Sequence, residues 1–126
     1  MNENEIQQAL NRHWAASDAN DFEVEHDIYR EDAVLEYPQS GERIRGRHNI
    51  QASRTAQADA RRVRVRRIVG SGEFWATEFI LAHDGQSSCS VSVREFLDGE
   101  VARETQYFGN PSEPGPSRAR WVERMA

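Results

Sequence analysis

The sequence predicts an α+β fold in which helices precede an antiparallel sheet. Near the start of the chain, apolar side chains recur with the period of a helix, whereas from residue 61 to residue 108 they alternate as in strands. Short sequences rich in glycine and polar residues separate the alternating runs, as expected for a meander of hairpins. Helices followed by a run of antiparallel strands are typical of the α+β class.

Length and composition indicate one globular domain, 1–126. Of its 126 residues, 37% are hydrophobic and 29% are charged, as in ordinary globular proteins. No apolar run approaches the roughly 20 residues that a membrane-spanning helix needs. The first ten residues also lack the charged and then apolar pattern of a secretory signal. We therefore expect a cytoplasmic protein that does not insert into membranes.

The first element is predicted to be an amphipathic helix. Ile6, Leu10 and Trp14 recur at every fourth position, which places them on one face of a helix. His13 lies on or beside this stripe. The first helix should therefore turn one histidine toward the core or toward a pocket.

A capping box predicts a second helix. Asn20 and Asp21 are followed by Glu23, a spacing that satisfies the free N–H groups at a helix start. This helix should end near Arg30. The residues expected on its inner face are Val24, Ile28 and Tyr29.

A strand and a third helix follow. The run AVLEYP, 33–38, alternates between two faces until Pro38 ends the strand. The segment QSGERIRGR, 39–47, indicates a turn or a small hairpin. A modest helix around Ile50 is predicted over 47–58.

Four long strands complete the predicted sheet, over 61–69, 74–82, 88–97 and 100–108. Asp98 and Gly99, between the last two strands, predict a tight hairpin. A Pro-rich loop and a tail follow over 109–126, and the tail is expected to form a terminal helix that carries Trp121 and Met125.

The first of these strands contains many arginines. The net charge of the chain is −5, yet the run ARRVRVRRI, 60–68, contains five arginines. Val63 and Val65 alternate with arginines, which favours a strand with a buried valine face and a solvated arginine face. A nucleic-acid groove would usually add stacking aromatics, and the run contains none. We therefore expect no nucleic-acid partner.

The order of these elements resembles the NTF2-like superfamily. The run RHWAASDANDFEVEHDIYREDAVLEYP, the G-x-x-x-I of Gly46 to Ile50 and the closing FLDGEVARETQYF are most similar to its SnoaL-like and ketosteroid-isomerase-like branch. The resemblance implies a cone, in which a strongly curved antiparallel sheet wraps around the N-terminal helices and leaves an apolar pocket open at one end.

The resemblance also implies a homodimer formed through the outer face of the sheet. Independently, four valines of the strands offer more apolar surface than one layer of helices can cover. These residues are Val63, Val65, Val91 and Val93.

The resemblance places three residues at positions that are catalytic in the steroid isomerases. RHWAAS puts His13 where their first helix has a tyrosine, LEYP puts Tyr37 at the base, and SVREF puts Arg94 at the protonated acid. An arginine is not a neutral acid, and an unperturbed tyrosine has a pKa of about 10, so this trio does not fit steroid isomerisation. The Asp-Arg-Asp set of the epoxide hydrolases and the His–Asp pair of the polyketide cyclases do not fit either.

Strand alternation predicts a polar pair in the last hairpin. Glu104 shares a strand face with Gln106 and Phe108, and Arg94 shares a face of the neighbouring strand with Ser92. The resemblance implies that both faces line the pocket, where a buried ion pair is costly unless well bonded. The alternatives are a structural ion pair, or a register shifted by one residue that turns both charges to solvent.

The candidate catalytic residues are therefore Glu104, His13 and Arg94. His13 is an acid–base candidate if it reaches the pocket, and otherwise a satisfied core residue. The candidate ligand-binding residues are Trp14, Tyr29, Tyr37, Trp75, Gln106 and Phe108. We expect no metal and no cofactor, because Cys89 is the single cysteine, the histidines lack metal-binding spacings and no phosphate-binding loop is present.

Three functions remain open from the sequence. The first is a cofactor-free isomerase, cyclase or dehydratase that acts on a small hydrophobic carbonyl compound. The second is a pocket that binds a hydrophobic metabolite without catalysis, and the third is a dimeric accessory module with a small or filled pocket. The geometry of the acid–base groups distinguishes the first from the other two.

Overall fold

A computed structural model describes residues 1–57 and 61–125 and confirms the α+β order. The helices of these ranges are α1 Glu3–Asp18, α2 Phe22–His26 and α3 Arg47–Thr55, with a short 3-10 helix at Pro116–Arg118. The strands are β1 Tyr29–Tyr37, β2 Glu42–Arg45, β3 Arg62–Ser71, β4 Phe74–His83, β5 Gln86–Leu97 and β6 Glu100–Gly109.

Capping fixes the start of α1. The side chain of Asn2 accepts a hydrogen bond from the backbone N–H of Glu5, and the side chain of Glu5 accepts one from the backbone N–H of Asn2. The predicted stripe of Ile6, Leu10 and Trp14 is buried. This helix therefore forms from the local sequence as expected.

The second helix is shorter than the sequence predicts. Asp21, and not Asn20, caps it, because Asn20 adopts the left-handed conformation with φ 57°. The helix ends at His26, so the prediction of an end near Arg30 is wrong. Tyr29 begins strand β1 instead of ending the helix.

The six strands form one mixed sheet in the order β2-β1-β6-β5-β4-β3. Neighbouring strands are antiparallel except β1 and β6, which are parallel and place Leu35 opposite Glu104. The prediction of an antiparallel sheet is therefore correct for the meander of β3 to β6. It did not include the parallel pairing of β1 with β6. Hairpin signals in a sequence identify only strands that are neighbours along the chain.

A bulge divides the arginine-rich strand. The register of β3 against β4 shifts between Val65 and Arg67, so Ile68 takes the next inward position. Val63 and Val65 pack against the core, whereas Val91 and Val93 alternate with residues buried on the inner face. The four valines therefore do not form one surface, and the argument for a dimer that combined them is wrong.

Two predicted helical segments differ from the structure. α3 ends at Thr55, and the predicted end at residue 58 lies outside the described residues. The C-terminal tail forms only a 3-10 turn, and Trp121 and Met125 are 76% and 92% exposed. The predicted terminal helix is wrong, and over residues 109–125 the apolar side chains Trp121 and Met125 stay exposed. In the ranges that the structure describes, no helix is long and apolar enough to cross a membrane.

Candidate functional site

A cluster of polar side chains lies buried between α1 and the inner face of the sheet. Each member is 3% exposed or less, and the members come from α1, β1, β5 and β6. They are His13, Tyr29, Ser92, Arg94 and Glu104. Burying so many polar groups is costly unless they bond to one another, so their hydrogen bonds define the site.

The β5–β6 hairpin places the central ion pair. Asp98 and Gly99 form its turn with φ 53° and 82°, and the register sets Arg94 opposite Glu104. The Arg94 Nη2 atom lies 3.0 Å from the Glu104 Oε2 atom, and both side chains are at most 1% exposed. The alternative register, in which both charges reach solvent, does not occur.

Glu104 is enclosed by donors. Its Oε1 atom accepts a hydrogen bond from the Tyr29 hydroxyl, and its Oε2 atom accepts bonds from Ser92 Oγ at 2.6 Å and Gln106 Nε2 at 2.7 Å. Its side chain is fully buried and does not line the cavity described below. Glu104 therefore balances the charge of Arg94 and positions it, and this placement does not fit the predicted role of proton acceptor.

Arg94 is held through one nitrogen. Its Nη2 atom lies 2.7 Å from His13 Nε2, 3.3 Å from the Tyr29 hydroxyl and 3.0 Å from Glu104 Oε2. Its buried Nε and Nη1 atoms have no hydrogen-bond partner in the part of the chain that the structure describes. Arg94 therefore lines the cavity as a buried cation that is held in place through Nη2.

His13 is a neutral acceptor toward Arg94. Its Nδ1 atom lies 2.5 Å from the backbone oxygen of Glu25, which can only accept, so Nδ1 carries the proton. The lone pair of Nε2 then accepts a bond from Arg94. Burial first, and the charge of Arg94 second, hold the pKa of His13 well below its usual 6.5. Both ring nitrogens are occupied, so His13 positions Arg94 and the predicted acid–base role does not fit.

The neutral His13 predicts that the protein loses stability in mild acid. Its folded pKa lies well below 6.5, so the unfolded chain binds the proton more readily once the pH falls below that value. The free energy of unfolding should therefore be fully present above pH 6.5 and decline below it, by up to ~1.4 kcal/mol per pH unit. Urea unfolding at a series of pH values measures this slope. His13→Gln should reduce the decline of the unfolding free energy below pH 6.5, and an unchanged decline would contradict a neutral, buried His13. His48→Gln, on the exposed side of α3, is the control.

The cluster faces a small cavity that opens to a wider mouth. The inner cavity has a volume of about 60 Å³, and the wider depression beside it, of about 840 Å³, shares lining residues with it, among them Tyr37, Gln106 and Phe108. Five of the six predicted ligand-binding residues line the inner cavity: Trp14, Tyr29, Tyr37, Gln106 and Phe108. Burial first, and the charge of Glu104 second, raise the pKa of Tyr37 to about 12, so its hydroxyl stays protonated and can donate.

Trp75 is the predicted ligand-binding residue that does not line the cavity. Its indole covers Gly70, where a Cβ atom would lie 2.4 Å from the ring, and its Nε1 atom donates to the backbone oxygen of Gly72 at 2.9 Å. β4 contributes Phe79 and Leu81 to the cavity instead. Trp75 precedes them on the strand and lies at its other end, so the alternation predicted its face correctly but not its position along the sheet.

Three charged residues of the cavity, Glu25, Arg54 and Arg61, were missed from the sequence. Glu25 and Arg54 are 4% and 8% exposed, and both line the cavity. The Glu25 Oε2 atom lies 3.4 Å from Arg54 Nε, and Glu25 Oε1 has no hydrogen-bond partner within the described ranges. The helical period contained the signal for Glu25, because it precedes the predicted inward residues Ile28 and Tyr29 by three and four positions.

The fold and its enclosed polar pocket define an NTF2-like protein. The SnoaL-like domain matches residues 2–86, more than half of the chain, and this chain belongs to the SnoaL-like family. Among curated proteins, none matches the sequence.

Solved structures agree with this family. An NTF-2 like protein of unknown function from Burkholderia xenovorans LB400 is 47% identical over 100% of this chain and 99% of its own, with a TM-score of 0.90. A "putative ketosteroid isomerase" from Kribbella flavida DSM 17836 is 24% identical over 98% and 91%, also with a TM-score of 0.90. An LEH-like epoxide hydrolase from M. tuberculosis is 22% identical over 83% of each chain, with a TM-score of 0.71. The last two similarities concern the fold alone.

Proposed function

We propose that the pocket binds a small hydrophobic carbonyl compound and catalyses its enolisation, without a cofactor, as the first step of an isomerisation, cyclisation or dehydration. One observation supports this proposal above the others. Arg94 is a buried cation that lines the cavity, is fixed through Nη2, and keeps Nε and Nη1 without partners among the residues described. Fixed donors in a water-poor site stabilise the negative charge that forms on a carbonyl oxygen.

The reaction also needs a proton acceptor, and Glu25 is the carboxylate that lines the cavity. Its Oε1 atom takes the proton from the carbon next to the carbonyl group as that C–H bond breaks. The electron pair moves to the carbonyl oxygen, where Arg94 donates hydrogen bonds to the enolate. In a β,γ-unsaturated ketone, Glu25 returns the proton to the γ-carbon, the C=C bond shifts into conjugation and the isomerisation is complete. In a β-hydroxy ketone, the enolate electrons expel the hydroxyl group, which takes the proton from Glu25 and leaves as water.

The main alternative is a site that binds a hydrophobic metabolite without catalysis. The observation that favours it is the inner cavity of about 60 Å³, which encloses only a small part of a ligand. A binding protein would use the aromatic walls Trp14, Tyr37 and Phe108 in the same way. It would not require the carboxylate of Glu25.

Exchange of ketone hydrogens with deuterium separates these functions. In D₂O, the protein should speed the exchange of the hydrogens next to the carbonyl group in one or more members of a panel of small ketones, followed by NMR. Glu25→Gln keeps the shape and removes the base, so the rate should fall at least about 100-fold. Glu23→Gln, on the exposed side of α2, is the matched control. Binding without any exchange would favour the non-catalytic function.

We also propose a homodimer formed through the outer face of the sheet. Ile80, Val91, Val93 and Tyr107 alternate with inward residues of β4, β5 and β6, and the register sets Val91 opposite Tyr107. These side chains are partly exposed, and an apolar patch of this kind favours association. Sedimentation at tens of micromolar should give a dimer, and Val93→Arg should give a folded monomer. A monomeric wild-type protein would contradict the proposal.

A further inference from the structure

A second buried guanidinium in the same cavity is held in the same way as Arg94. The Arg54 Nη2 atom donates to the backbone oxygen of Ser17 at 3.0 Å and to Asn20 Oδ1 at 2.8 Å. Its Nε and Nη1 atoms are buried and have no hydrogen-bond partner among residues 1–57 and 61–125. A stack on the Phe22 ring, 5.1 Å from the guanidinium carbon, further fixes its plane. The Nε atom faces Glu25 Oε2 at 3.4 Å as an ion pair, so Nη1 is the Arg54 donor that stays unpaired among the described residues.

Arg61 adds a second positive charge at this end of the cavity. It also lines the cavity, and its buried Nε atom has no partner within the described part of the chain. Burial first, and the charge of Arg54 second, lower the pKa of Arg61, whereas the charge of Glu25 acts in the opposite direction. Two like charges at one end of a poorly solvated cavity are stabilised by an anion between them.

The charged side chains of the pocket carry a net positive charge that one anion would neutralise. The arginines Arg54, Arg61 and Arg94 face the carboxylates of Glu25 and Glu104, and His13 is neutral. Among these described residues, the balance is one positive charge in excess. A monoanion would neutralise it, whereas a dianion would be repelled by Glu25.

Helix α1 supplies an anchor for each of the two guanidinium groups. His13 binds Arg94, and the backbone oxygen of Ser17 binds Arg54. These two anchors are four positions apart on one helix, a rise of about 6 Å. Arg54 and Arg94 line the same cavity, so a ligand that contacts both carries two oxygen-bearing groups.

We propose that Arg54 and Arg61 bind the carboxylate of a small keto acid whose carbonyl group contacts Arg94. The planar fork of a guanidinium matches a carboxylate with two parallel hydrogen bonds. The contact of the carbonyl group with Arg94 rests on the proposed function. The contact of the carboxylate with Arg54 and Arg61 does not depend on it. The two halves can therefore fail separately.

Three probes of equal chain length test the two halves. The compound 2-hexanone carries only the carbonyl group, hexanoate carries only the carboxylate, and 5-oxohexanoate carries both. Their affinities at neutral pH are measured by NMR titration of the protein. Because charge-assisted hydrogen bonds are strong, 5-oxohexanoate should bind at least about tenfold more tightly than 2-hexanone.

Arg61→Gln supplies the matching variant. Arg61 is half-buried, and within residues 1–57 and 61–125 its side chain forms no hydrogen bond of the kind that Arg54 makes, so the variant should fold, as a circular dichroism spectrum would verify. It should remove the advantage of 5-oxohexanoate over 2-hexanone and leave the affinity for 2-hexanone unchanged. Arg64→Gln makes the same charge change on the exposed face of β3 and should alter neither affinity.

Each result supports or overturns one half of the assignment. If 5-oxohexanoate binds no more tightly than 2-hexanone, or keeps its advantage in Arg61→Gln, the carboxylate subsite is wrong while carbonyl binding stands. If hexanoate binds in an Arg61-dependent way and 2-hexanone does not bind, the subsite stands and the proposed function fails. If none of the three probes binds, both are wrong.

Discussion

Replacing Glu104 by glutamine should lower the free energy of unfolding by about 3–5 kcal/mol, which would be the largest effect of a single substitution in this site. The change removes the negative charge opposite Arg94 and leaves the guanidinium in a place with 1% exposure. It also brings an amide into a position where three neighbours donate to the carboxylate, Tyr29, Ser92 and Gln106. The loss should appear as a lower midpoint of urea unfolding, with an unchanged slope.

A double variant separates the charge from the shape. Glu104→Gln combined with Arg94→Met removes both charges and should recover much of the lost stability, because no unpaired charge remains buried. Glu36→Gln is the matched control, since Glu36 pairs with Arg43 and Arg103 on the outer face of the sheet. Its effect should be far smaller, as for other solvated ion pairs. Equal losses for Glu104→Gln and Glu36→Gln would show that the buried pair has no special cost.

Arg94→Lys should reduce ketone enolisation by about 100-fold to 1000-fold while the protein stays folded. Lysine keeps the positive charge beside Glu104, so the ion pair survives in part. It lacks the planar fork, and a single ammonium group that bonds to Glu104 and His13 has no fixed donor left for a carbonyl oxygen. Deuterium exchange of the ketone measures the rate, and the melting temperature checks the fold.

The outcome distinguishes a functional cation from a structural one. Arg103→Lys, on the outer face of β6, makes the same exchange of side chains and should leave the rate unchanged. If Arg94→Lys also retains the wild-type rate, Arg94 serves only as the structural partner of Glu104. If Arg94→Lys weakens ketone binding and the wild-type protein shows no measurable deuterium exchange of the ketone, a binding protein is favoured over an enzyme.

The strands of the meander could be predicted because their signals are local. Alternation and turn residues located β3 to β6 close to their observed ends, and the Asp98 and Gly99 pair located the last hairpin. The parallel pairing of β1 with β6 has no such signal, since it joins segments that are distant in the chain. The capping pattern also did not specify the left-handed conformation of Asn20, which leaves Asp21 as the cap of α2.

In the site, too, the sequence predicted what depends on local signals and not what depends on contacts between distant segments. Alternation predicted that Arg94 and Glu104 share an inward face, because the period of a strand is enough for that inference. It could not predict which of the two reaches the cavity. That difference arises because Tyr29, from another strand, and Gln106 cover Glu104, while Arg94 keeps free N–H groups. Glu25 was missed because the prediction followed the apolar residues of this segment, Val24, Ile28 and Tyr29, and not the charged residues between them.

The parallel pairing of β1 with β6 also has a consequence for the kinetics of folding. Tyr29 and Glu104, which it brings together, are 75 positions apart, whereas Arg94 and Glu104 meet within one hairpin. Closing a long loop costs more entropy than closing a hairpin, so the distant contact is expected to form later. Until β6 lies beside β1, Glu104 lacks the Tyr29 hydroxyl that covers one of its oxygens. Ligand binding should therefore begin only with the last step of folding, and the gain of ligand affinity reports the closure of the sheet.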